Sequence, residues 1–111
     1  MAYRKERQLI LKLQPDYGKW KFAGYRRETL IASCPDGQFL LDNPSGIPTV
    51  IFPEKSLWSQ VAPDWAKDDW DDLHFHLNEW CAATKQALHV GGWTDLHGNW
   101  CEAKVYPTDL T

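Results

Sequence analysis

Through the first half of the chain, short apolar stretches alternate with turn residues at the spacing of strands. Leu9, Leu11 and Leu13 recur at every second position, which predicts a half-buried strand. Pro15, Asp16, Tyr17 and Gly18 form a turn, because proline presets φ and glycine accepts positive φ. In Lys19, Trp20, Lys21 and Phe22 the alternation sends both aromatics to one face and both lysines to the other. Thr29–Cys34 reads as a third strand, and Pro35, Asp36 and Gly37 turn it onto residues 38–41 as a hairpin. Asn43, Pro44, Ser45 and Gly46 make another turn before a fifth strand, Thr49–Phe52, bounded by Pro48 and Pro53. Connections this short suit an antiparallel meander.

The period changes after Pro63 and Asp64. Ala66, Trp70, Leu73, Leu77, Trp80, Cys81, Thr84, Ala87 and Leu88 project into one stripe at about 100° per residue, which predicts a single long amphipathic helix over residues 65–89. Asp64 is the expected cap. Asp68, Asp69, Asp71 and Asp72 near the start, with Lys85 and His89 near the end, complement the helix dipole, and Gly91 and Gly92 are the expected stop. Residues 93–106 then read as a hairpin turning at His97, Gly98 and Asn99. The expected fold is α+β: about five N-terminal strands in an antiparallel sheet, packed by one long helix and followed by a C-terminal hairpin, in a single domain over residues 1–111.

Seven tryptophans in 111 residues give this core an unusual share of large flat side chains. They are expected chiefly inside, with an aromatic ligand surface as the other reading. Trp93 and Trp100 in the hairpin could stack on a flat ligand such as a sugar, but without the carboxylates and amides that orient a sugar the expectation for the pair is core packing. Cys34, Cys81 and Cys101 have no paired spacing and read as free thiols, and with no hydrophobic N-terminal run of membrane length the expected location is the cytoplasm. The net charge of −3 conceals a polarity. Residues 1–27 hold eight basic side chains against two acidic ones, whereas residues 28–111 hold four lysines against thirteen acids.

Signatures of catalysis are scarce. The sequence holds no nucleophile elbow, no phosphate-cradling loop and no paired zinc-ligand spacing, so no catalytic residue, metal ligand or cofactor is assigned. His74 and His76, two apart on a helix, point away from each other. Asp72, His76 and Glu79 are the one helical set near enough to share an ion, and a solvated polar face explains them equally well. Lys19 and Lys21, interleaved with Tyr17, Trp20, Phe22 and Tyr25, raise nucleic-acid binding as a weaker reading, because the platform and the charges lie on opposite strand faces.

The anomaly is Phe75. It projects opposite the apolar stripe, among Asp68, Asp71, Asp72, Asn78 and Glu79. An aromatic anchor inside a charged rim is the composition of a protein-binding hot spot, and the alternative is that the sheet, the N-terminal arm or a second subunit covers that face. The expected function is therefore a non-catalytic protein-binding module, of inhibitor or immunity type, docking on a basic macromolecular partner. A small metal- or ligand-binding enzyme using the polar helix face, a nucleic-acid binder using the basic strands, and a homodimer are the alternatives. In size, acidity and tryptophan content the chain is similar to bacterial toxin-immunity proteins and small phage-encoded inhibitors, a likeness of profile that aligns no residue.

Overall fold

The computed structural model describes residues 11–25, 28–44 and 46–108 of the chain. Strands β1 (Lys21–Tyr25), β2 (Thr29–Cys34) and β3 (Gly37–Asp42) form the antiparallel meander. Register places Phe22 beside Ala32 and Ala32 beside Phe39, so one row of apolar side chains crosses the sheet. Trp20, Phe22, Leu30, Ala32, Phe39 and Leu41 line the face that meets the helices. Ala23, Tyr25, Ile31 and Leu40 line the other face, packed by Leu11 and Tyr106. Because both faces are covered, these strands carry consecutive apolar residues rather than a clean alternation.

The second edge of β3 is shared. Asp42 pairs with Ile51 of β4 (Thr49–Phe52), while Leu40 and Leu41 pair with Tyr106 and Val105 of β8 (Val105–Tyr106). The Tyr106 hydroxyl donates to both carboxylate oxygens of Asp42, at 3.0 and 3.2 Å, and so ties the end of the described chain to the sheet. Burial raises the Asp42 carboxyl. It also raises the Tyr106 phenol to about 12, with the Asp42 charge adding to the effect. The folded protein thus holds the Tyr106 proton more tightly than the unfolded chain, and stability is lost as pH rises from about 10 through about 12. Chemical denaturation at successive pH values is expected to show a shallower alkaline fall for Tyr106→Phe than for the native protein. Equal slopes would break the assignment.

After β4 the chain crosses over through helix α1 (Lys55–Val61), a 3₁₀ turn (Asp64–Ala66) and helix α2 (Trp70–Ala83), and returns as β5 (Ala87–Val90). β5 lies parallel to β4, with Thr49 beside Ala87 and Phe52 beside Val90. The sheet is therefore mixed, in the order β1-β2-β3-β4-β5 with β8 beside β3, and the helical crossover supplies the length that a parallel pair needs.

This corrects the single helix expected over residues 65–89. The helical segment there divides, and its last part is a strand. Its start is a separate 3₁₀ turn, held against α1 by the buried Trp58, whose indole Nε1–H donates to the Ala66 carbonyl at 2.8 Å. Asp69, not Asp64, precedes α2, and its side chain makes no capping bond. The helix ends in a Schellman arrangement, with Gln86 N–H donating to the Cys81 carbonyl at 2.8 Å and Lys85 in the left-handed region at φ 59°. Inside these bounds the stripe holds: Leu73, Leu77, Trp80 and Cys81 are buried, and burial raises the Cys81 thiol to about 11.

Two further expectations are corrected. Leu11 lies in a helical turn and Leu13 is exposed, so they form no strand, while Leu9 falls outside the described residues. The C-terminal hairpin is short, pairing β6 (Trp93–Thr94) with β7 (Trp100–Cys101), and its expected second strand departs to become β8. Asp95 shapes the turn by accepting the His97 and Asn99 backbone N–H groups at 2.8 and 2.9 Å. These donors, Asn99 foremost, hold its carboxyl below the usual range.

Candidate functional site

Helix α2 has one face in the core, which fixes what its other face presents. With Leu73, Leu77, Trp80 and Cys81 inward, Phe75 projects outward and is 61 % exposed. Nothing among the described residues covers it. Asp68, Asp71, Asp72, Asn78 and Glu79 are exposed as well; Asp71, Asp72, Asn78 and Glu79 stand one turn from Phe75 on α2, whereas Asp68 precedes the helix.

Their charges are not equally available. Asp71 receives the Lys55 ammonium from α1 at 2.9 Å. Asp72 accepts the indole N–H of Trp20 at 3.0 Å through one oxygen and lies 3.3 Å from His76 Nε2 through the other. Glu79 meets His76 Nδ1 at 2.7 Å. Phe75 sets its ring against His76 edge-on, with centroids 5.0 Å apart. Asp68 and Glu79 flank this arrangement without a lysine or arginine contact among the described residues.

The same geometry disposes of the one helical metal set. Asp72 and Glu79 engage opposite nitrogens of the His76 ring, so the three groups do not converge on a point between them. No cluster of three ligating side chains occurs among the described residues. His74 lies elsewhere, stacked on Trp70 at 4.7 Å. Among the described residues of the basic N-terminal quarter, Trp20 and Phe22 are fully buried, and Lys19 and Lys21 pair with Asp69 and Asp16 at 3.1 and 2.7 Å. Part of the charge polarity along the chain is thus neutralised inside the fold. No helix among the described residues is long and apolar enough to cross a membrane.

A second surface was not legible in the sequence. Hairpin register sets Trp93 beside Cys101 and Thr94 beside Trp100, which sends the two tryptophans to opposite faces. Trp100 is 65 % exposed, contrary to the expected core packing of the pair. Its ring lies on Gly92, where a Cβ would fall 2.2 Å from Cζ2, and only glycine admits so close an approach. Trp100 closes one side of a groove of about 280 Å³ whose other walls include Leu57, Val90, Glu54 and Glu102. The signal available in the sequence is the Gly91-Gly92 pair just before an aromatic hairpin, a pair that by itself reads as a helix stop.

No protein-family model matches the chain, and no curated protein or solved structure matches it at a significant level.

Proposed function

We propose that this chain is a non-catalytic protein-binding module whose outer α2 face docks on a basic macromolecular partner, as an inhibitor or immunity-type protein does. One observation carries the reading: Phe75 stands 61 % exposed on α2 with Asp71, Asp72, Asn78 and Glu79 exposed one turn away, and with Asp68 exposed just before the helix. Large aromatics in a desolvating centre supply most of the affinity at interfaces, and surrounding charges steer approach and exclude like-charged competitors. Four carboxylates against Lys55 and His76 leave this face negative, so the partner surface is basic.

The test is affinity capture from the native host on immobilised protein, beside Phe75→Ala and Asp68→Lys. The expected result is a basic protein held by the native form, released as ionic strength rises, and bound about 10- to 100-fold more weakly by Phe75→Ala once the purified pair is titrated. Asp68→Lys is expected to slow association more than it speeds dissociation. A partner that binds all three forms equally would place the interface elsewhere. Asp72 is unsuited to this test because it also supports the core.

A further inference from the structure

Among the described residues the sheet ends at β5, and that end is open. Ala87 N–H donates to the Pro48 carbonyl at 2.7 Å and Gly91 N–H to the Phe52 carbonyl at 2.8 Å. In a parallel ladder the hydrogen-bonding groups of alternate residues point the same way. The groups of Ala87, His89 and Gly91 therefore face β4, and those of Leu88 and Val90 face outward. No strand among the described residues pairs with that outer edge. Natural edges are usually blunted by charge, proline or a bulge; Ala87, Leu88, His89 and Val90 carry none of these.

Val90 also belongs to the groove beside Trp100. The groove gathers the exposed Trp100 ring, the apolar side chains of Leu57 and Val90, and the carboxylates of Glu54 and Glu102. Glu102 already orients the ring by accepting its Nε1–H at 3.1 Å. Glu54 lies along Gly91, and no lysine or arginine among the described residues lines the walls. His89 is held aside, its Nε2 2.8 Å from the Gly92 carbonyl. A flat aromatic face beside two carboxylates matches a guanidinium, which stacks on tryptophan and pairs with carboxylates in the same plane.

We propose that the outer edge of β5 accepts an extended segment of a partner protein as an added strand, with an arginine of that segment seated between Trp100, Glu54 and Glu102. Main-chain bonds to Leu88 and Val90 supply register, and the groove supplies selectivity for the basic side chain. This site rests on the strand edge and the hairpin; it does not depend on Phe75 or the acidic face of α2.

The experiment titrates the ¹⁵N-labelled protein with a capped peptide, Thr-Val-Arg-Val-Thr, and with the same peptide carrying glutamate in place of arginine. Expected are shifts at the Leu88 and Val90 amides and the Trp100 indole with the arginine peptide, at least about tenfold weaker with the glutamate peptide. Two further peptides carry N-methyl groups at alternate residues, one for each face of the strand. One of them is expected to lose binding and the other to keep it, since only one edge of an added strand donates to β5. Trp100→Ala, and Glu54→Gln combined with Glu102→Gln, are each expected to weaken the arginine peptide about tenfold. Val90→Pro removes the outward N–H, together with the Val90 wall of the groove, and is expected to abolish strand addition; should that variant not fold, the methylated peptides decide the matter on the native protein. Phe75→Ala is expected to leave every titration unchanged, which separates failure here from failure of the helix-face reading. The proposal is overturned by an unchanged spectrum at about 1 mM arginine peptide, by equal behaviour of the two methylated peptides, or by β5 shifts that follow protein concentration, which would mark self-pairing instead.

Discussion

Trp58→Ala is expected to lower the unfolding free energy by about 3–5 kcal/mol. Trp58 is 1 % exposed and stands where α1, the 3₁₀ turn and the sheet meet. Its ring lies 5.3 Å from Phe52 and 5.9 Å from Phe39, and its indole N–H satisfies the Ala66 carbonyl. Truncation opens a cavity lined by side chains already anchored on strands, so the site cannot collapse cheaply, and it removes the indole bond to the Ala66 carbonyl, which keeps its bond from the Asp69 N–H. A domain of this size has about 5–15 kcal/mol of stability, so the variant sits near the edge of folding at 37 °C. Urea unfolding followed by far-ultraviolet circular dichroism measures the change. Trp58→Phe retains most of the volume and loses the hydrogen bond, and is expected to fall between the native protein and alanine. Trp100→Ala is the control: at 65 % exposure it is expected to change stability by no more than about 0.5 kcal/mol. Similar costs for the two tryptophans would mean that the core does not lie where the structure places it.

Trp58 also shows why α1 escaped sequence reading. Lys55–Val61 spans only seven residues, buries Trp58 alone and has no side-chain cap, so the helical spacing of Leu57, Trp58 and Val61 between Pro53 and Pro63 is too short to stand out from a loop. The boundary between α2 and β5 was hidden for a different reason. Ala87 and Leu88 fall on the helical stripe by projection, and over so few residues a period of 3.6 cannot be told from a period of two. The usual glycine signal was absent as well, because Lys85 occupies the left-handed position that ends the helix. β2 and β4, by contrast, were legible to the residue, since turns with glycine or proline bound β-branched and aromatic runs. The parallel pairing of β5 was not, because it depends on a crossover whose packing around Trp58 no local pattern encodes.

The candidate site divides in the same way. That Phe75 projects away from the buried stripe follows from helical geometry alone and was visible in the sequence; that no described residue covers it was not. The groove at Trp100 depends on hairpin register and on contact between residues 8 apart across Gly92, so it was not. The sequence also treated the acids around Phe75 as equivalent, whereas the fold assigns Asp71 to Lys55 and Asp72 to Trp20.

Asp72→Ala is expected to cost about 2 kcal/mol, the second-largest effect foreseen and the one that bears on function. Trp20 is fully buried, and the Asp72 carboxylate is the acceptor of its indole N–H, so truncation leaves that donor stranded at about 1–3 kcal/mol. The remaining Asp72 oxygen lies 3.3 Å from His76, a half-exposed contact that adds little. His76 in turn rests on the Tyr17–Trp20 turn, where Gly18 at φ 63° leaves room for it: a Cβ there would stand 2.5 Å from Nε2. Asp72 therefore joins the outer face of α2 to the residue that anchors the first strand. Asp72→Asn keeps an oxygen for the indole and gives up only charge, so it is expected to recover all but about 1 kcal/mol. Urea midpoints, with the Trp20 indole proton resonance as a local probe, distinguish the three forms. A partner-binding screen would record Asp72→Ala as a loss even if Asp72 never touched the partner. The diagnostic pattern is weakened binding by Phe75→Ala at unchanged stability, together with binding by Asp72→Asn in proportion to the charge removed. If Asp72→Ala proves as stable as the native protein, the Trp20 bond has no structural weight, and Asp72 returns to the set of residues free to serve the interface.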